Sequence, residues 1–379
     1  MAETAALQRA IVKIKVVGVG GGGNMVLLRM AENNDLGIEL VAVNTDAKQL
    51  SRLGKAGVRT LQIGKEITKG QGTGAKPELG EEAAKNDEER IRSMLEGTDL
   101  VFITAGMGGG AGTGAAPVVA KIASEMGILT IGVVTLPFAF EGKRKLRLAN
   151  EGIAKMQLCM DALIAVRNEN LLKLPENSHM SLIEAFGEAD KVLLQAIHCM
   201  AEMILTTGVV NVDFADVKSI FRQSKSSDAI LGIGQSSKDA VSAVKAAVES
   251  PLIEKSLKGA RGIILNISGS EGLSMYETNE AAKYINDNTH PDVNVILGVG
   301  QDAALGDTIK ATIIATDFVN SVVTKVPQVT SPKAELKDFS LDLPPFMMPK
   351  QEKIPEFKKM ADVPLPDFKS DFMKKKDKE

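Results

Sequence analysis

The fold of this chain is decided by the stretch Gly106-Met107-Gly108-Gly109-Gly110-Ala111-Gly112-Thr113-Gly114, which follows the apolar run Leu100-Val101-Phe102-Ile103. Six glycines in nine residues cost backbone entropy and bury no side chain, so their use is to bring backbone N–H groups close to another group. The residues after them, 115–126, are predicted to form a helix with proline in its first turn. A buried strand, a glycine loop and a helix N-terminus together make an anion site, and phosphate is the usual occupant.

The composition excludes several classes of protein. The chain has 379 residues, 44% hydrophobic and 25% charged, which is typical of a globular protein of two or three domains. A net charge of −3 and the absence of tryptophan argue against a nucleic-acid partner. No apolar run is long enough to span a bilayer, and the first residues lack a signal-peptide pattern. We therefore expect a cytoplasmic protein that does not cross a membrane.

Strand-like and helix-like segments alternate from Ile14 onward. This alternation predicts an α/β fold with a doubly wound parallel sheet, a long central helix and a second, smaller α/β or α+β domain. Ligands of such sheets bind at the carboxyl ends of the strands, where the glycine loops fall. We expect strands over 14–19, 38–43, 100–104, 128–136, 262–268, 293–299 and 310–316, and helices over 83–95 and from 181 to about 206.

The same pattern predicts the division of the chain into domains. Seven of the fourteen prolines lie in 328–379 among many charges, so that segment is expected to be a flexible tail. The predicted units are a first domain over 12–180, the central helix over 181–208, a second domain over 209–326 and the tail over 327–379.

Two further glycine runs support a phosphate site. Gly18-Val19-Gly20-Gly21-Gly22-Gly23-Asn24 fits G-x-G-x-x-G, and Asp46 closes the next strand where a dinucleotide-binding protein holds a ribose. Gly70-Gln71-Gly72-Thr73-Gly74-Ala75 is a third candidate. A dinucleotide needs one pyrophosphate loop, whereas several loops at one edge suit three phosphates. A dinucleotide-dependent oxidoreductase stays an alternative at this point.

Together the motifs resemble the tubulin/FtsZ family of GTPases, and its bacterial FtsZ members in particular, over roughly 14–318. The motifs that carry the resemblance are 106–117, 18–24, Asn44-Thr45-Asp46, Phe140-Glu141-Gly142 and Asn211-Val212-Asp213-Phe214-Ala215-Asp216. The resemblance implies binding and hydrolysis of GTP to GDP with Mg²⁺. It also implies head-to-tail self-assembly into the division ring at mid-cell, and a cytoskeletal role in septation.

The resemblance also implies roles for single residues. Glu141 would contact the ribose, and Lys145 stands where the family has an arginine near the phosphates or ribose. Asn168 and Asp190 would recognise the guanine base, because a carboxylate accepts from N1–H and the 2-amino group, a donor pair that adenine lacks. Phe186 would stack on the base. The phosphates and their surroundings would be held by Gly20, Gly21, Gly22, Gly23, Asn24, Met25, Asn44, Asp46, Gly74, Gly108, Gly109, Gly110, Ala111, Gly112, Thr113 and Gly114.

Some of these residues have simpler interpretations. Without the resemblance, Asp190 is a solvated position on the central helix. Asp213 can cap the helix that follows it, with Asp216 at the third position of a capping-box variant. The resemblance instead implies that Asn211, Asp213 and Asp216 enter the nucleotide site of the next subunit, where the two carboxylates polarise the attacking water.

Departures from the family pattern bear on activity. Ala111 stands where threonine is usual, Met25 where asparagine or glycine is usual, and Lys145 lacks the planar fork of arginine. Both carboxylates are retained, so we expect an active enzyme; a filament protein with impaired hydrolysis is the alternative. In the tail, Ile354, Pro355 and Phe357 resemble a weak form of the family peptide that docks membrane tethers and regulators.

Overall fold

The computed structural model describes residues 12–173, 180–205, 212–224, 226–250, 252–253, 255–270 and 273–318. Its centre is one sheet with the strand order β3-β2-β1-β4-β5-β6-β7-β10-β8-β9. The strands are β1 (Ile14–Val19), β2 (Glu39–Asn44), β3 (Arg59–Gln62), β4 (Leu100–Gly106), β5 (Leu129–Leu136), β6 (Ala162–Arg167), β7 (Asp228–Ser236), β8 (Ala260–Gly269), β9 (Asn294–Gln301) and β10 (Ile309–Phe318).

The helices lie on both faces of this sheet. They are α1 (Gly20–Glu32), α2 (Ala47–Lys55), α3 (Lys65–Thr68), α4 (Pro77–Asn86), α5 (Glu88–Leu95), α6 (Ala111–Glu125), α7 (Lys143–Gln157), α8 (Asn168–Leu171), α9 (Leu182–Leu205), α10 (Phe214–Gln223), α11 (Ala240–Val248) and α12 (Met275–Asp287). No helix among the described residues is long and apolar enough to cross a membrane.

Strands β1 to β6 are parallel throughout and follow the order 3-2-1-4-5-6 of a doubly wound fold. Every residue of β1 and β5 is buried, as expected for a parallel sheet that is covered on both sides. On one face Val16 and Phe102 pack against α1 and α9; on the other, Val17 and Ile103 pack against α5 and α6. The predicted doubly wound sheet is confirmed.

The second part of the sheet is mixed. Strand β10 is antiparallel to β7 and β8, and β9 is parallel to β8. Strand β7 joins β6 through two residue pairs, Leu163 with Asp228 and Ile164 with Ala229. Helices α11 and α12 cover one face of these strands, and α10 lies on the other. The smaller α+β part is confirmed, whereas the exact domain boundaries stay a prediction.

Two predicted helices have different bounds in the structure. Helix α6 begins four residues earlier than expected, because Gly114 N bonds Gly110 O at 3.0 Å and closes the first turn within the glycine run. Pro117 therefore lies in the second turn. The helix expected over 83–95 is two helices, α4 and α5, separated at Asp87. The Asp87 carboxylate accepts from Gly64 N at 2.7 Å and ties this break to the loop after β3.

The central helix is confirmed as α9, which the structure describes as far as Leu205. The first residues of the acidic motif, including Asn211, lie outside the described residues, as does everything after Phe318. The predicted tail residues Ile354, Pro355 and Phe357 are among these.

Candidate nucleotide site

The glycine runs 18–24 and 106–114 meet at the carboxyl edge of the parallel sheet. A Cβ placed on Gly20, whose φ is +70°, would lie 2.5 Å from the backbone N of Gly112. A Cβ on Gly22 would lie 2.9 Å from the N of Gly106. The two backbones are therefore in direct contact, and a side chain at these positions would separate them.

The glycine run 70–75 lies against the run 106–114. A Cβ on Gly110 would overlap the Thr73 hydroxyl and lie 3.0 Å from Lys76 N. Gly74 has a φ of +58°, and both Gly74 and Gly109 have open space where a Cβ would be. The structure thus brings all three predicted loops to one place.

Two helices that start at this edge, α1 and α6, have N-termini without side-chain caps. Neither α1, which follows Val19, nor α6, which follows Gly110, has a side-chain cap or an acidic residue in its first turn. The first N–H groups of a helix need an acceptor, and the helix dipole favours a negative charge there. Two such ends in contact suit a chain of phosphates.

A third helix adds positive charge to the same edge. Helix α7 begins with Lys143, Arg144 and Lys145, without a side-chain cap or an acid in its first turn. Cations are unfavourable at a helix N-terminus, and within the described residues neither Lys143 nor Arg144 is paired with a carboxylate. The backbone of Lys145 is placed beside the glycine run, since a Cβ on Gly108 would lie 2.8 Å from Lys145 O.

Several predicted nucleotide-binding side chains are instead engaged within the protein. Asn24 is buried; it donates to Gly18 O at 2.9 Å and accepts from Asn44 Nδ2 at 2.7 Å. The Thr113 hydroxyl accepts from Gly108 N at 2.8 Å. Asp46 caps α2 by accepting from the N–H groups of residues 48 and 49. These four side chains shape the loops, and a direct contact of any of them with a nucleotide stays a prediction.

Glu141 and Lys145 are paired with each other. The Lys145 ammonium lies 2.9 Å from Glu141 Oε2, and Glu141 Oε1 accepts from Phe138 N at 3.0 Å. The two side chains predicted to contact the ribose or the phosphates therefore lie together at the start of α7.

Three phenylalanines lie beside this pair. Phe138 stacks on Phe140 at 5.2 Å between ring centroids, and Phe186 meets Phe138 edge to face at 5.4 Å. Phe138 is buried, whereas Phe140 and Phe186 are exposed, as is Met25 in the second turn of α1. The predicted base-stacking residue thus lies at an aromatic rim.

The two predicted base-recognition residues have unusual surroundings. Asn168 is buried, and its Oδ1 has no hydrogen-bond partner within the described part of the chain. A buried oxygen without a partner is costly, and a ligand with N–H donors would satisfy it. Asp190 accepts from Arg29 Nε at 3.1 Å, and its side chain is 17% exposed. The interpretation of Asp190 as a solvated position is therefore wrong.

Two opposing effects act on the pKa of the Asp190 carboxyl group. Burial raises the pKa of Asp190 above its ordinary value, and the hydrogen bond and charge of Arg29 oppose that shift.

The acidic motif begins α10, and the far end of this helix reaches the other edge of the sheet. Asp213 caps α10 by accepting from Ala215 N at 3.0 Å, which confirms the capping interpretation, and both Asp213 and Asp216 are exposed. At the far end of α10, Arg222 donates to Gly127 O at 2.8 Å. Gly127 precedes β5 and so marks the amino edge, opposite the glycine loops.

Sequence reasoning missed two features of the site. Arg29 reaches Asp190 across 161 positions of sequence, and no local pattern announces such a pair. The run Lys143-Arg144-Lys145 was visible, and a helix start without an acid would have marked it as an anion-facing segment.

The fold and this edge define a nucleotide-binding protein with a doubly wound domain. Residues 13–176 match the GTPase domain of the Tubulin/FtsZ family, and residues 227–319 match the C-terminal domain of the FtsZ family. The chain therefore belongs to the tubulin/FtsZ family, and within it to the FtsZ proteins.

Solved structures agree with this assignment. An FtsZ dimer from M. jannaschii is 36% identical with a TM-score of 0.77, and the match covers 86% of this chain and 98% of that one. A point mutant of FtsZ from M. jannaschii is 38% identical with a TM-score of 0.78, covering 84% and 94%. CetZ2 from Haloferax volcanii, at 22% identity, a TM-score of 0.69 and coverage of 82% and 95%, shares the fold.

Proposed function

We propose that this protein binds and hydrolyses GTP and assembles head to tail into filaments, with each active site completed by the next subunit. The observation that carries the proposal is that the glycine loops lie at the carboxyl edge of the sheet, whereas α10, which Asp213 caps, has its far end at the amino edge. Membership of a family with a GTPase domain supports the nucleotide and the reaction.

The length of α9 supports a site divided between subunits. This helix begins beside the aromatic rim and has 24 residues, so at 1.5 Å per residue it is about 36 Å long. Asp213 follows its far end. A carboxylate so placed does not reach phosphates at the near end, but a second copy stacked in the same direction would bring one there.

The chemistry needs little more than positioning. Phosphoryl transfer is promoted by groups that hold the phosphates, neutralise charge and orient the attacking water. The N–H groups at the starts of α1 and α6 would bind the phosphates, and Asp213 and Asp216 of the neighbouring copy would orient the water and accept its proton.

A magnesium ion fits this arrangement through the substrate. Within the described residues no three His, Cys, Asp or Glu side chains come together to hold a metal. Mg²⁺ commonly keeps several water ligands and binds through substrate phosphates. We propose that it enters with GTP, where it supplies positive charge to the phosphates.

Self-assembly is supported by relatives and by the surface. The FtsZ of M. jannaschii was solved as a dimer, and CetZ2 of Haloferax volcanii as a GTPγS-bound protofilament. In this chain large apolar side chains are exposed just before α7, at the start of α9 and at the start of α12: Phe140 by 60%, Ile183 by 83%, Met275 by 90% and Tyr276 by 74%. Adjacent exposed groups such as Met275 and Tyr276 suit a contact surface.

The cellular role that we propose is the one that the family resemblance implies, which is cell division. The filaments would form a division ring at mid-cell in the cytoplasm of a bacterium, and Ile354, Pro355 and Phe357 would dock membrane tethers or regulators. Family membership argues against the dinucleotide oxidoreductase, although the strand order alone suits both.

The test is the dependence of GTP turnover on protein concentration. We expect almost no turnover per subunit below a threshold and a steep rise above it, since a lone subunit lacks half of the site. Asp213→Ala should abolish turnover while GTP still binds.

Asp213→Asn is the matched control, because asparagine caps a helix as well as aspartate but carries no charge. It should keep the stability of the wild type and still lose turnover. Constant turnover per subunit at all concentrations would contradict the divided site. GTP-dependent light scattering without phosphate release would instead indicate the filament protein with impaired hydrolysis.

A further inference from the structure

We propose that Arg29 is a positioning residue for base recognition: its guanidinium holds the carboxylate of Asp190 ionised and fixed in orientation to accept from guanine. The inference rests on the proposed function and adds to it a residue that no motif of the sequence contains.

The geometry leaves one oxygen of Asp190 available. Arg29 Nε donates to Oδ2 at 3.1 Å, and Oδ1 has no partner within the described residues. The guanidinium also lies close under the start of α9, since a Cβ on Gly187 would lie 3.2 Å from Arg29 Nη2. Glycine at that position gives the arginine room to reach the carboxylate. An oxygen with one donor keeps a second lone pair, so both oxygens remain able to accept.

A carboxylate recognises guanine only when it is ionised. Protonated Asp190 would present a hydrogen to the N1–H of the base and lose the paired acceptors. Because burial raises the pKa of this group, the charge of Arg29 opposes its protonation in the bound site.

The other charges near Asp190 do not replace Arg29. On α9, the neighbouring Glu188 and Lys191 are paired with each other. On α8, Glu169 accepts from Ala139 N at 2.8 Å, and the predicted partner Asn168 is neutral. On α1, Arg29 is the only residue that bonds the carboxylate within the described part of the chain.

Helix α1 joins the two ends of the nucleotide site. Its first turn holds the glycines proposed for the phosphates, and Arg29 lies nine residues further on, about 14 Å along the axis. One rigid element therefore sets the distance between the phosphate loop and the carboxylate that would recognise the base.

The experiment measures binding of GTP, ITP and ATP to the full chain as a function of pH. Arg29→Met should weaken GTP binding about tenfold at neutral pH, as expected for the loss of a charge-assisted contact, and leave ATP binding unchanged. The GTP affinity should fall on acidification at a higher pH than in the wild type, because removal of Arg29 raises the pKa of Asp190 further. Arg29→Lys should restore part of the affinity and of the pH profile, since lysine supplies the charge without the fixed fork.

Arg92→Met is the matched control. It removes an arginine that bonds Glu88 and Glu125 on α5 and α6, away from the base, and should leave all three affinities unchanged. Thermal unfolding of each variant without nucleotide separates a loss of fold from a loss of recognition, and Arg29→Lys serves if Arg29→Met does not fold.

Two failures are distinguishable. If Asp190→Asn abolishes the preference for GTP while the Arg29 variants keep the wild-type affinity and pH profile, Arg29 has no positioning role and the proposed function stands. If the wild type has no preference for GTP over ATP, or Asp190→Asn leaves it intact, the proposed base site itself is wrong.

Discussion

Adjacent glycines in the first turn of α1 have opposite tolerances for a side chain. Gly20 has a φ of +70°, and a Cβ there would lie 2.5 Å from a backbone nitrogen of the second loop. Gly21 faces the far end of the Gln49 side chain, with 3.4 Å to the nearest atom. The first glycine is required by the contact between the loops, whereas at the second a Cβ would meet only the far end of a flexible side chain.

We predict that Gly20→Ala lowers the free energy of unfolding by about 3 kcal/mol, because the positive φ and the overlap each cost about 1–2 kcal/mol. Gly21→Ala should change stability by less than about 1 kcal/mol. Urea unfolding without nucleotide measures both. Equal losses in the two variants would contradict the direct contact between the loops.

At the scale of single elements, the first turn of α7 carries unbalanced positive charge. Lys143 and Arg144 are exposed, and neither is paired with a carboxylate within the described residues, whereas Lys155 in the last turn pairs with Glu81 at 2.6 Å. The dipole of the helix opposes the first two cations and favours the third.

Replacing Lys143 and Arg144 together by glutamine should therefore raise the nucleotide-free stability by about 1 kcal/mol. The same variant should bind GTP more weakly than the wild type. This difference should shrink at high salt, because the charges are then screened. Lys155→Gln, on the same helix, should lower stability and leave GTP binding unchanged. Thermal shift with and without GTP measures all four effects, and a destabilised double variant would show that the two cations have a favourable role of their own.

Sequence reasoning succeeded for elements whose pattern is local. The predicted strands over 14–19, 38–43, 100–104 and 128–136 are mostly apolar runs, and the structure has them within two residues as β1, β2, β4 and β5. Strand β3, with the sequence Arg-Thr-Leu-Gln, has no apolar run and was not predicted. The start of α6 was placed too late because glycine lowers helix propensity, and tertiary contacts of the glycine run override that preference. The break at Asp87 depends on an acceptor for Gly64 N, which no window of sequence around residue 87 contains.

Parts of the candidate site that are contiguous in sequence were predictable, and parts that depend on long-range packing were not. The glycine loops are contiguous motifs, so their location at one edge followed from the topology of parallel strands. The surroundings of Asp190 did not follow, since its burial and its ion pair come from a helix 161 residues away. A sequence pattern tells which residues share an element, whereas burial and long-range pairing appear only after the elements pack.

At the scale of the whole molecule, the two half-sites are chemically independent. No described contact joins the acidic motif to the glycine loops, and Asp213 and Asp216 are exposed at the start of α10. Variants that damage one half-site should therefore leave the other half-site intact.

We predict that Asp213→Ala and Asp190→Asn, each inactive alone, regain GTP turnover when mixed. In a random one-to-one filament, about a quarter of the contacts join an intact nucleotide site to an intact acidic loop, as head-to-tail symmetry requires. Phosphate release from the mixture should approach that share of the wild-type rate. A mixture as inactive as its components would show that each subunit completes its own site.

The proposed division of the site between neighbouring subunits also sets a counting rule. If the next subunit completes each site, an open filament of n subunits would contain n − 1 completed sites, because one terminal subunit would have no neighbour to supply its carboxylates. A dimer would then work at half the specific activity of a long filament, and every filament would keep one uncleaved nucleotide at the same end. Turnover per subunit is therefore a measure of filament length, independent of any change in the chemistry of the site.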